Sequence, residues 1–193
     1  QACLYALADA QRETKVAIHH GVRVITHHHA SITLTEPNLG EFLRRFHRDV
    51  SCAVNTLLAR ERYDCPRNVF DKRTSHAMRL LDPAAQASHL TYEYLNPVAA
   101  GLVARPEHMP GTTLDWGHWK AGGLWVERPD FYFSSDRPAA LWLALTPPPL
   151  LIRAFDGDLE ALIHHMRRLS EDGIRALRDA RKRAPMGAQR VQR

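Results

Sequence analysis

The sequence predicts an α/β sandwich of the α+β kind, one mostly antiparallel sheet with helices on one face. Three observations predict it. Val22 to Leu34 alternates with the period of a strand. Leu39, Phe42, Leu43, Phe46, Val50, Val54, Leu57 and Leu58 recur at helical spacing, an apolar face that would pack on the sheet. Asp82-Pro83 opens a second helix, as N-cap and first helical residue.

The elements follow in order. Ala2–Thr14 reads as a helix with a modest apolar stripe, and Val16-Ala17-Ile18 as a short strand. Gly21 permits a turn or bulge before the histidine-bearing strand, which Glu36-Pro37-Asn38 ends. The long helix after it carries Arg44, Arg45, Arg48 and Asp49 on its polar face. Tyr63–Asn68 is a loop, and Val69-Phe70 and Ala77–Leu81 read as strands. The Asp82 helix follows; Pro97 makes Asn96 its expected last regular residue, and Gly101 marks a bend. Arg105–Gly123 reads as irregular, with Trp116 and Trp119 packing there. Leu124-Trp125-Val126 and Phe131-Tyr132-Phe133 read as short extended segments, and Pro147-Pro148-Pro149 as a break. Leu159 to about Lys182 is a final helix, interrupted or weakened at Gly173.

Composition bounds the class. The chain has 193 residues, 45% hydrophobic and 24% charged, enough for one core plus an extension. We expect a first domain over residues 1–105 and an irregular, helical extension with a basic tail over 106–193. No apolar run reaches the roughly 20 residues a membrane span needs, and no signal peptide stands out. The chain starts at Gln1 inside a helix-like stretch, which points to an incomplete N-terminus. Cys3, Cys52 and Cys65 form no C-x-x-C, which suits reduced thiols in a cytoplasm. Charge is uneven. Met166–Arg193 holds nine Lys/Arg and three Asp/Glu, while residues 1–165 hold 17 basic and 18 acidic groups. A basic C-terminal arm is the footprint of phosphate binding; a solvated helix and tail is the bland alternative.

Two short stretches carry chemistry. His27 and His29 share one parity of the alternating run, so a strand would place them about 6–7 Å apart on one face, with His28 on the other. Such a pair can hold one metal ion. Tyr92 and Asn96 are four apart and share one helix face, a phenol nucleophile beside an amide oxygen. Tyr94 points about 200° away from Tyr92. His19 and His20 read as surface or strand-edge groups, and His164-His165 as solvated helix positions.

His27-x-His29, followed by Tyr92-x-x-x-Asn96-Pro97-Val98-x-Ala100-Gly101-Leu102-Val103, resembles the single-tyrosine HUH transposases. It is most similar to their IS200-like branch associated with repetitive extragenic palindromes. The resemblance extends to Tyr5-Ala6-Leu7-Ala8, Leu39–Arg60 and Glu127–Phe133. It implies a ferredoxin-like fold, here without the first strand that normally precedes the segment matching Gln1–Ala10. It implies a bacterial, cytoplasmic enzyme that nicks and rejoins single-stranded, hairpin-associated DNA through a 5′-phosphotyrosine link. Tyr92 would be the nucleophile, and His27, His29 and Asn96 the ligands of Mg²⁺ or Mn²⁺; two imidazoles alone also suit Zn²⁺ or Ni²⁺. Arg167, Arg168, Arg181, Lys182, Arg183 and Arg190 are the candidate DNA-backbone contacts. Arg44, Arg45 and Arg48 either reach phosphates or solvate their helix. Trp116 or Trp119 either stacks on an unpaired base or packs in the core. Two other readings stay open: an inactive hairpin-DNA-binding descendant, and a metal-dependent phosphodiesterase using activated water. Monomer and homodimer are equally compatible.

Overall fold

A computed structural model describes residues 1–24, 26–66, 68–70, 75–111 and 113–191. Ile25 of the alternating run lies outside them. The α+β class holds: the described residues form seven helices and two two-stranded antiparallel sheets, in place of the one sheet expected. None of these helices is long and apolar enough to cross a membrane. The chain divides into two compact units, each discontinuous in sequence. The first comprises Gln1–Ala17, Leu34–Arg79 and Leu124–Ala144; the second Ile18–Thr33, Leu80–Gly123 and Leu145–Arg193.

In the first unit, helix α1 (Ala2–Thr14) packs against α2 (Leu39–Arg60) and against β4 (Ala140–Ala144), which pairs with β3 (Gly123–Glu127). The apolar periodicity of α2 is realised in part: Phe42, Phe46 and Val50 are buried, with Ala53 beside them, but Leu57 is exposed, and the helix packs chiefly on α1 rather than on the sheet expected. Gln11 of α1 fastens β4 as a strand neighbour would. Its amide nitrogen donates to the Ala144 carbonyl, and its amide oxygen accepts from the Ala144 N–H, both at 2.9 Å.

Several expectations fail in this unit. Asp49 is buried rather than on the polar face of α2. It accepts from Arg137 at 2.7 Å, Arg48 at 3.0 Å and the Tyr132 hydroxyl at 3.1 Å. Burial alone would raise its pKa, but the guanidinium hydrogen bonds hold it below the ordinary value. Phe131-Tyr132-Phe133 is a bend, not a strand: Tyr132 sits at φ 65°, which aims its hydroxyl at Asp49. Val69-Phe70 and Ala77–Leu81 are not strands either; within the second of these only Leu80 is partly covered, the rest being exposed. The unpaired backbone of a lone strand gains nothing over hydration there.

In the second unit, β1 (Ala17–Arg23) and β2 (His28–Thr33) form a hairpin closed by the Val24 N–H on the His27 carbonyl at 3.0 Å. The alternating run from Val22 is therefore two strands and a turn, not one strand. Gly21 lies within β1. A Cβ there would meet Leu114 and the His29 carbonyl at ordinary contact distances of 3.5 and 3.7 Å, and the position forms neither the turn nor the bulge expected.

Helix α3 (Pro83–Ala99) begins as its sequence dictates: Asp82 Oδ1 accepts from the Ala85 N–H at 2.8 Å, and Pro83 is the first helical residue. It does not end at Asn96. It runs through Pro97 to Ala99, because a proline in the last turn removes one hydrogen bond without forcing an exit. Its close is a Schellman motif. The Leu102 N–H bonds to the Pro97 carbonyl and the Gly101 N–H to the Val98 carbonyl, both at 3.0 Å, with Gly101 at φ 71°.

Helix α6 (Leu159–Ala180) packs on α3 and is continuous through Gly173. That glycine is a contact, not a break: a Cβ there would fall well inside contact distance of Leu95 Cδ1. Two short helices lie where no helix was expected: α4 (Gly117–Ala121), within the stretch expected to be irregular, and α5 (Pro149–Arg153), which starts on the last proline of the triplet expected as a break. A four-residue helix, α7 (Ala188–Val191), ends the described chain. The segment before it is tied down, with the Met186 and Gly187 N–H groups bonded to the carbonyls of Gly101 and Leu102 at 2.8 Å.

Candidate active site

The site lies where the β1–β2 hairpin meets α3, within the second unit. His27, expected on the strand with His29, stands just before β2, of which His29 is the second residue; their side chains nevertheless meet. Their ring centroids are 5.0 Å apart. Tyr92 and Asn96, one turn apart on α3, face the same place. The Tyr92 ring centroid is 5.8 Å from that of His29, and Asn96 Nδ2 lies 3.2 Å from His29 Nε2. Tyr92 is 54% exposed and Asn96 9%. The four residues read from the sequence are therefore brought together, although 67 positions separate His29 from Asn96.

Tyr94 is a core residue. It packs on His20 and Trp116 at 6.1 and 5.3 Å, and burial pushes its phenol further from ionisation. Of the two tyrosines, Tyr92 alone is accessible as a nucleophile.

His27, His29 and Asn96 carry donor atoms that could hold a divalent cation. Asn96 Oδ1 is buried without a hydrogen-bond partner, which is costly unless something polar meets it. Exchanging the two amide atoms would turn that oxygen toward His29. Burial lowers the His29 pKa, which keeps its imidazole neutral, the form that ligates. His27 Nδ1 lies 3.0 Å from Thr26 Oγ1, so its Nε2 remains available as a ligand atom. Among the described residues no group of three or more His, Cys, Asp or Glu has metal-holding geometry. A metal here would rest on two imidazoles and one amide oxygen.

The sequence reading missed Glu93. It is 2% exposed, beside Tyr92, and links α3 to both strands of the hairpin. Its Oε2 accepts from Ser31 Oγ at 2.9 Å and His20 Nδ1 at 3.1 Å. Burial raises its pKa, but the hydrogen bonds of His20, His89 and Ser31 outweigh that and bring it to about 2. His19 and His20, expected at a surface or strand edge, are buried, 4% and 1% exposed. His19 bridges Thr146 and Thr33, at 2.8 Å each. A charged residue next to a tyrosine in a helix was the available signal for Glu93, but a solvated glutamate reads the same way.

Trp116 and Trp119 are core residues, not base platforms. Their indole N–H groups donate to Ser170 Oγ at 3.1 Å and to the His19 carbonyl at 2.7 Å. Of the candidate DNA contacts, Arg167, Arg168, Lys182, Arg183 and Arg190 are exposed. Arg181 is half-buried and donates to the Val98 carbonyl at 2.8 Å, near the negative end of α3. In the first unit, Arg44 and Arg45 pair with Glu41, and Arg48 with Asp49.

No protein-family model matches this chain, and neither a search of curated proteins nor one of solved structures finds a match.

Proposed function

We propose that this chain is a transposase-like DNA endonuclease and strand transferase of the single-tyrosine HUH kind, nicking and rejoining single-stranded, hairpin-associated DNA through Tyr92. One observation carries the reading. An exposed tyrosine and an amide one helical turn on converge with a histidine pair from a different element. A structural tyrosine would have been covered, as Tyr94 is. The ferredoxin-like HUH fold and the cytoplasmic setting belong to this proposal and rest on the motif resemblance.

His27, His29 and Asn96 would hold Mg²⁺ or Mn²⁺, which when bound polarises a phosphate oxygen and offsets developing charge. The chain's own residues do the rest. A protonated phenol is a poor nucleophile, so Tyr92 must shed its proton as it attacks. Its oxygen forms a bond to phosphorus, and the bond from phosphorus to the 3′ oxygen breaks. That oxygen takes a proton from solvent and becomes a free 3′-hydroxyl. The phosphotyrosine bond conserves the energy of the cleaved one, so a 3′-hydroxyl can later attack it and release Tyr92. The exposed cations Arg167, Arg168, Lys182, Arg183 and Arg190 would hold the phosphate backbone without reading sequence.

The test is a denaturing gel of labelled single-stranded hairpin DNA incubated with protein and Mn²⁺. We expect a protein–DNA adduct that is lost with chelator, with Tyr92→Phe and with His27→Ala/His29→Ala. Cleavage without adduct that survives Tyr92→Phe would instead make the chain a water-activating phosphodiesterase. Binding without cleavage would make it a hairpin-binding descendant.

A further inference from the structure

Attack by Tyr92 needs a proton acceptor, and none of the residues assigned above supplies one. His89 stands one turn before Tyr92 on the same helix. Its ring centroid is 5.8 Å from that of Tyr92, with the planes tilted by 33°. Its Nε2 lies 3.3 Å from Glu93 Oε1. The side chain is 26% exposed, whereas that of Glu93 is 3% exposed. His89 is thus placed between a buried carboxylate and a nucleophile open to solvent.

Glu93 is built for this. Its Oε2 is occupied by Ser31 and His20, from the two strands of the hairpin. Its Oε1 is left for His89. A carboxylate on one ring nitrogen favours the tautomer in which Nε2 carries hydrogen toward Glu93, which leaves Nδ1 as the accepting atom. That is the logic of an activated nucleophile, in which a third group orients the base.

We propose that His89, held by Glu93, accepts the Tyr92 phenolic proton at Nδ1 as Tyr92 attacks, with Glu93 as its positioning residue. The proposal rests on the nicking-and-joining reading above. The phenolic O–H bond breaks and its proton forms an N–H bond at Nδ1. The electron pair left on oxygen forms the bond to phosphorus, and the departing 3′ oxygen takes a proton from solvent. When a 3′-hydroxyl later displaces tyrosinate, the imidazolium returns the proton. The Glu93 hydrogen bond holds the His89 pKa above the ordinary imidazole value, which makes it a stronger acceptor. Among the described residues, Glu93 and Tyr92 on α3 lie against His89, and His29 on β2 feels its charge.

The experiment is the single-turnover rate of Mn²⁺-supported adduct formation against pH, with hairpin-DNA affinity and thermal melting measured alongside. We expect His89→Ala to slow adduct formation by about 10²–10⁴-fold, with affinity close to wild type and melting lowered only by the loss of one of the Glu93 partners. We expect the rising limb of the pH profile to disappear and added imidazole to restore part of the rate. Glu93→Gln should move that limb to lower pH. Should Glu93→Gln fail to fold, His89→Ala with imidazole decides alone. A wild-type rate in His89→Ala overturns the proposal and leaves the nicking reading intact. A slowed rate that imidazole does not restore, with the pH limb unchanged, also overturns it, since lost packing would look the same. Absence of a Tyr92-dependent adduct from the wild-type chain overturns both.

Discussion

Tyr92 and Tyr94 are two residues apart and chemically alike, yet the fold gives them opposite environments. One is half exposed beside two histidines; the other is enclosed by His20 and Trp116. Tyr92→Phe should leave melting within about 0.5 kcal/mol of wild type, since an exposed hydroxyl adds little stability. Tyr94→Ala should cost about 3 kcal/mol, as for any buried aromatic. A melting series on the two variants checks this asymmetry. The same scale carries a pH prediction. The Glu93 carboxylate falls from its ordinary 4.5 to about 2 on folding, so its contribution is present above pH 4.5 and is lost as pH falls toward 2. Acid titration of stability should therefore flatten in that window for Glu93→Gln, and an unaltered slope would show that the carboxylate is not held as described. The sequence offered no view of this. A His-His pair in a strand reads the same whether it edges the sheet or donates to a carboxylate 73 residues away.

At the scale of elements, two glycines of the second unit have different physical reasons. Gly101 needs its left-handed φ of 71°, and nothing lies within 4 Å of where its Cβ would be. Gly101→Ala should therefore cost about 1 kcal/mol through backbone strain alone, and Gly101→Asn less. Gly173 has ordinary helical geometry, but Leu95 fills the space of a side chain. Gly173→Val should cost about 1–3 kcal/mol by overpacking α3 against α6. Chemical denaturation of the three variants separates strain from packing. Gly101 was legible because a glycine after a helix has a local cause. Gly173 was misread as a weak point because its cause, Leu95, lies on another helix. Pro97 was misread for a related reason: its rule is local, but its cost depends on the helix closing within a turn.

At the scale of the whole molecule, charge is the property that composition states most plainly. The C-terminal segment is strongly basic while the rest of the chain is nearly neutral. If Arg167, Arg168, Lys182, Arg183 and Arg190 contact phosphates, each neutralised pair should reduce the logarithmic salt slope of single-strand binding by about 0.7 per phosphate. Charge-removing variants titrated against hairpin DNA at several salt concentrations would measure it. A slope unchanged by all five would mean that they only solvate their segment. Arg181 should behave differently, lowering stability more than affinity, because it already holds the Val98 carbonyl.

What the sequence determined by itself is everything with a cause a few residues away. The Asp82 cap, the apolar stripe of α2, the two-residue spacing of His27 and His29 and the one-turn spacing of Tyr92 and Asn96 all follow from backbone periodicity. Only the tertiary structure decided that the two spacings converge and that Glu93 stands behind them. It also decided that Asp49, Trp116, Trp119, His19 and His20 are interior. The physical reason is common to all of these: burying a polar or aromatic group becomes favourable only when a distant partner meets it. Such partners, among them Arg137 for Asp49 and Glu93 for His20, are chosen by the folded chain rather than by sequence neighbours.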